Sequence, residues 1–118
     1  AVASIDNVNM FSGLQASEIT STTVASTSAT TIATHAIATY RSVNYQVQVT
    51  QGTDYHMTTV NVIHDGTTAH FTEYGTVFDN AALGTFDATI TSGNLLLQIT
   101  PGSNASLTTR VVSTAIPV

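Results

Sequence analysis

The sequence predicts an all-β fold, a single-domain antiparallel β-sandwich of jelly-roll-like or Ig-like type, and three observations carry that expectation. Threonine occupies 23 of the 118 positions and, with 12 valines and 8 isoleucines, makes more than a third of the chain β-branched, a composition that suits pleated strands better than helices. Only 8% of residues are charged and there is no lysine, so hydroxyls rather than charges must wet the outer faces. Finally, runs of alternating apolar and polar residues are separated by turn residues every 8 to 12 positions, the spacing of sandwiches and barrels.

Taken in order, residues 1–17 (AVASIDNVNMFSGLQAS) hold no sustained period and read as an extended N-terminal arm, with the sandwich domain expected over 18–118. Glu18 to Thr39 is rich in Ser, Thr and Ala, with aliphatics at Ile19, Val24, Ile32 and Ile37, and is assigned two short strands. Val43, Tyr45, Val47 and Val49 then alternate with Ser42, Asn44, Gln46 and Gln48, the period of a strand with one buried face. A further strand runs from about Tyr55 to His64, and Asp65-Gly66 is a strong hairpin signal leading to a return strand over about Thr68 to Phe78.

Either plausible loop length places Val60 and Val62 on a face with Ala69 and Phe71, and Met57 and Ile63 on the other with His70 and Tyr74. Asp79 to Gly84 is expected to hold one helical turn at most. Phe86 to Ile90, Leu95 to Ile99 and Leu107 to Ile116 complete a count of about eight strands.

Composition also excludes whole classes of function. A net charge of −5 with two arginines cannot neutralise the several phosphates that nucleic-acid binding requires, so no nucleic-acid partner is expected. No apolar run approaches the roughly 20 residues that span a bilayer, so no membrane partner is expected either. The absence of cysteine excludes disulfides and thiolate metal sites.

The four histidines are poorly spaced for a metal: His56 and His64 lie eight residues apart on one strand, and His70 points to the opposite face from His64. They are expected on solvent faces or at turn edges, and no metal or cofactor is predicted. Glu73 lies mid-strand, and Arg41, on the Val43/Tyr45 face, is its expected partner in a structural ion pair. No paired acids, Gly-x-Ser-x-Gly elbow or phosphate loop occurs, so no catalytic residues are assigned and the chain is expected not to be an enzyme. Tyr40, Tyr45, Tyr55 and Tyr74 are the available aromatic platform for sugar, and Tyr45 and Tyr74 read first as strand-packing residues.

The stretch from Ala38 to Phe78 resembles a domain of structural proteins of tailed marine bacteriophages, especially those infecting cyanobacteria. The motifs that carry the resemblance are Tyr40 to Ser42, Val47 to Val49, His64 to Ala69, Glu73 to Gly75 and Ser92 to Asn94. It covers roughly the last 80 residues and implies a virion structural protein on the outer surface of the particle. The leading expectation is a capsid decoration or cement protein that binds the major capsid protein or other virion proteins and forms a homo-oligomer, a trimer by analogy. In that reading the arm residues Ile5, Val8, Met10, Phe11 and Leu14 dock on a neighbour. The alternative is a tail fibre, knob or other appendage module that contacts the host surface or its glycans through turn-borne residues around Asp65 and Asn104.

Overall fold

The computed structural model describes residues 7–11 and 14–118, with side chains from residue 18 onward. Nine strands run through the described residues: β1 Asn7–Phe11, β2 Leu14–Val24, β3 Thr30–Ala36, β4 Tyr40–Gln51, β5 Asp54–His64, β6 Ala69–Phe78, β7 Gly84–Thr91, β8 Asn94–Pro101 and β9 Leu107–Pro117. Eight of them are those expected from the sequence. The ninth is β1, which lies within the segment read as an arm and pairs antiparallel with the chain's own β2. β2 begins at Leu14, so it runs across the boundary expected after residue 17.

Two antiparallel sheets form the sandwich, one of six strands in the order β1-β2-β9-β4-β5-β6 and one of three in the order β3-β8-β7. The last strand is inserted between β2 and β4, so closing the larger sheet requires pairing between residues almost ninety positions apart, as in Thr22 with Thr109. Alternation decides what lies between the sheets. Val43, Tyr45, Val47 and Val49 of β4 face Val60 and Val62 of β5 and Val111 and Ala115 of β9 across the same side of the large sheet. They bury against Leu95, Leu97 and Ile99 of β8 and Phe86 and Ala88 of β7.

Local chemistry explains the turns. Gly66 takes φ 96°, open to glycine without steric cost, and the loop Asp65–Thr68 joins β5 to β6 with His64 opposite Ala69. Asp79 to Leu83 holds no helical turn. Asp79 is used instead to fasten the end of β6, its Oδ1 accepting the Tyr55 N–H at 2.9 Å while its own N–H donates to the Tyr55 carbonyl at 3.2 Å.

The unequal sheets have one consequence for the surface. Three strands cannot cover six, and β6 overhangs: every residue of it except the half-buried Ala69 is exposed. Phe71 lies on the same face as Val62, as the register predicts, yet it is 42% exposed where Val62 is 2% exposed.

Candidate interaction surface

Three of the four histidines are buried, contrary to the expectation that they would lie on solvent faces. The signal was present, because His56 and His64 share the even-numbered parity of Val60 and Val62 and so belong to the core face of β5. Each is held by specific partners. His64 Nδ1 accepts the Gly66 N–H at 3.0 Å, so Nε2 carries the proton and donates to the Tyr40 carbonyl at 2.6 Å. This neutral imidazole ties the β5–β6 turn to the start of β4.

His56 Nδ1 accepts the Leu83 N–H at 3.1 Å, which locks the chain as it crosses from one sheet to the other, and its ring packs edge-on to Phe78 and Phe86. Burial holds its basicity below the ordinary histidine range, opposed by the Glu73 carboxylate. His35 of β3 is joined to Tyr45 across the sandwich at 2.9 Å. Burial lowers the basicity of His35, Glu18 opposing, and the same burial, reinforced by Glu18, raises the Tyr45 phenol far above its usual value. Only His70 is exposed, 3.5 Å from Asp65. Among the described residues no three potential metal ligands converge.

The Arg41–Glu73 ion pair expected from the sequence is not formed. A β-bulge between Tyr40 and Ser42 against β9 interrupts the alternation that was to aim Arg41 along the Val43/Tyr45 face. Arg41 donates instead to the His64 carbonyl at 3.0 Å. Glu73 is satisfied nearer by, its Oε2 accepting the hydroxyls of Thr58 at 2.8 Å and Thr76 at 3.3 Å. Thr76 reaches Thr58 because Gly75, at φ 68°, adds a residue to β6 opposite Thr58, the backbone signature of a glycine bulge. Ile5 lies outside the described residues; Val8, Met10 and Phe11 fall on β1 and Leu14 begins β2, with side chains outside those described.

The surface with the most recognition chemistry is the outer face of β4, β5 and β6. Ser42 sits between Ile116 and Ile63 in one row, and Asn44 beside Asn61 in the next. The Asn44 amide donates to Asn61 Oδ1 at 2.6 Å and lies 3.4 Å from the Tyr74 hydroxyl. Gln46 and Gln48 continue the amides, opposite Thr59 and Met57. Two shallow depressions mark this side. One of about 490 Å³ lies among Asn44, Asn61, Ile63 and Ile116, and another of about 540 Å³ among Gln48, Tyr55, Met57 and Val77. Met57, Ile63, Tyr55, Tyr74 and Val77 are each about half exposed, and no carboxylate other than Asp79 lines either depression.

No protein-family profile matches the chain, and no curated protein does. Among solved structures it is similar to part of the Acinetobacter baumannii phage AM24 tailspike protein, with a TM-score of 0.51 and 9% identity over 86% of this chain and 26% of the tailspike. It is also similar to part of the Acinetobacter phage vB_ApiP_P1 tailspike protein, with a TM-score of 0.47 and 17% identity over 99% of this chain and 24% of that one. The chain thus spans about a quarter of the length of these tailspikes, and at 9% identity what it shares with the AM24 protein is the fold.

Proposed function

We propose that this chain is a non-catalytic β-sandwich module of a bacteriophage tail appendage that contacts neutral glycans of the host surface. The observation that carries the reading is the backbone likeness to the AM24 tailspike over 86% of the chain, which agrees with the phage structural motifs in the sequence. It favours an appendage over the head-decoration role that the sequence first suggested. The outer face of β4 to β6 supplies the recognition chemistry. Tyr55 and Tyr74 offer apolar ring faces with polar tips, and Asn44, Asn61, Gln46 and Gln48 each offer both donors and acceptors to hydroxyls without the desolvation cost of a buried charge.

Quantitative mass spectrometry of purified particles, referenced to the major capsid protein, tests the reading. A few to a few dozen copies per particle are expected. Hundreds of copies would assign the protein to the head lattice, and absence from particles would overturn a virion role. Binding to host polysaccharide, measured for the wild type and for Tyr74→Ala, tests the glycan face: affinity is expected to fall about tenfold on losing one stacking ring.

A further inference from the structure

We infer that β6 is a self-association strand, which pairs antiparallel with β6 of a second copy of this chain and joins two six-stranded sheets into one. Among the described residues β6 has a single neighbour, β5, and forms one edge of the large sheet. The hydrogen-bond pattern fixes which groups are left open. Asp65 N–H donates to the Thr68 carbonyl at one end of the hairpin, and Asp79 N–H to the Tyr55 carbonyl at the other. Both place the odd-numbered residues of β5 in hydrogen-bonded pairs, so His70, Thr72 and Tyr74 turn their backbone groups toward β5. The N–H and C=O of Phe71 and Glu73 therefore point outward along the open edge.

Such edges are protected by lysine, proline, short length, bulges or inward-pointing charges. β6 is ten residues long and contains neither lysine nor proline, and its bulge at Gly75 leaves the strand from Ala69 to Tyr74 regular. Its one carboxylate, Glu73, already accepts two hydroxyls from its own chain. Each side of the strand carries exposed aromatic side chains, Phe71 at 42% and Phe78 at 45% on one and Tyr74 at 48% on the other. Half-exposed aromatics of this kind offer roughly 100 Å² each. Phe71 and Tyr74 of two copies, with the backbone edge, bury on the order of several hundred Å², the size of a weak, reversible interface. A second copy is the occupant these features fit, since it brings the same open edge and the same apolar flanks, and satisfies both at once.

One register keeps within the unbulged segment. Centring the two-fold on Thr72 pairs His70 to Tyr74 with the same five residues reversed, sets Phe71 opposite Glu73 of the second copy, and sets His70 opposite its Tyr74. Centring on Glu73 would oppose two carboxylates, which is destabilising. Centring on Phe71 would run the pairing into the Asp65 turn. In the Thr72 register the two Thr72 residues form a non-hydrogen-bonded pair with Cα atoms about 4.5 Å apart, inside the range that a disulfide spans.

Because the chain has no cysteine, Thr72→Cys introduces a single thiol, and Thr85→Cys, at an exposed position of β7, serves as the control. Under mild oxidation Thr72→Cys is expected to give a disulfide-linked dimer, and Thr85→Cys to remain monomeric on a non-reducing gel. Sedimentation equilibrium of the cysteine-free wild type is expected to show a concentration-dependent dimer. Phe71→Glu, at a side chain already exposed in the single copy, sets a carboxylate opposite Glu73 of the second copy and is expected to abolish the dimer, while leaving unchanged the circular dichroism and the urea midpoint at concentrations where the wild type is monomeric. A wild type monomeric at all concentrations, a Thr72→Cys variant that cross-links no faster than the control, or an oligomer indifferent to Phe71→Glu would each overturn the inference. None of these readouts depends on the appendage assignment.

Discussion

The Tyr45 phenol on β4 and the His35 imidazole on β3 meet at 2.9 Å in the core, a side-chain hydrogen bond that joins the large sheet to the small one through two buried rings. The tautomer that suits both neighbours has Tyr45 donating to Nδ1 and Nε2–H directed at Glu18, 3.7 Å away. It is a structural tie of a kind the sequence did not mark, because nothing in the local pattern around His35 announces a partner ten residues on in another sheet.

Tyr45→Phe keeps the ring and removes only the hydroxyl, leaving His35 Nδ1 buried without a partner. A loss of about 1–3 kcal/mol is expected, read as a lower urea midpoint with an unchanged slope. In the Tyr45→Phe background, His35→Leu is expected to cost less than it does in the wild type, since the tie is already broken.

Stability is expected to fall as pH drops below about 6.5. His35 and His56 both have their basicity lowered by burial, with Glu18 and Glu73 opposing. The unfolded chain therefore takes up protons before the folded one does, and the stabilisation present above the unfolded value is lost on acidification. Urea midpoints measured between about pH 7.5 and about pH 5.5 check this, and His56→Gln should flatten the dependence. A midpoint that rises on acidification would contradict the burial of neutral imidazoles.

A separate acid limb belongs to the β5–β6 turn. The N–H groups of Thr68 and Thr67, at 2.7 and 2.9 Å, lead in holding the Asp65 carboxyl at about 2. Its contribution is complete above the unfolded carboxylate value and is lost as pH falls from about 4 toward 2. Asp65→Asn keeps an acceptor at the turn and removes the titration. Loss of amide protection at Thr67 and Thr68, taken relative to the intrinsic exchange rate at each pH, is expected in acid for the wild type and not for the variant.

Two glycines are expected to fail for different reasons. A Cβ at Gly84 would sit 2.9 Å from the Thr100 carbonyl oxygen and 3.1 Å from Ile99, so Gly84→Ala must displace backbone between β7 and β8, at a cost of about 1–3 kcal/mol. At Gly75 nothing lies within 4 Å, but φ is 68°, so Gly75→Ala costs about 1–2 kcal/mol through the left-handed backbone alone. Gly75→Asn should be milder than Gly75→Ala, since asparagine tolerates that region. Gly84→Asn should be worse than Gly84→Ala. Thermal unfolding of the four variants separates the two mechanisms.

Much of the fold was legible because alternation is local. The strand from Val43 to Val49, a hairpin at Asp65-Gly66 and the two faces of β5 and β6 all followed from period 2 and turn chemistry, while the structure chose the longer of the two loop lengths, with His64 opposite Ala69. The Arg41–Glu73 pair was misjudged because a bulge at the start of β4 and another at Gly75 break that period. β1 was missed because five residues between turn signals show no pattern of their own. Burial of His56 was legible in its parity with Val60 and Val62, but was outweighed by the usual preference of histidine for half-exposed positions.

The sequence by itself determined that this chain folds as an antiparallel β-sandwich, which residues share a face of each strand, and that its surface is polar with few charges. Those properties are written in composition and in spacing over ten residues or fewer. Only the tertiary structure decided which faces are covered. Phe71 and Val62 occupy the same side of one hairpin, and one is exposed while the other is buried because the second sheet has three strands and ends before it reaches β6. Sheet width and strand order depend on pairings across the whole chain, β9 with β2 and β8 with β3, so the open edge on β6 emerges only when the sheets are assembled.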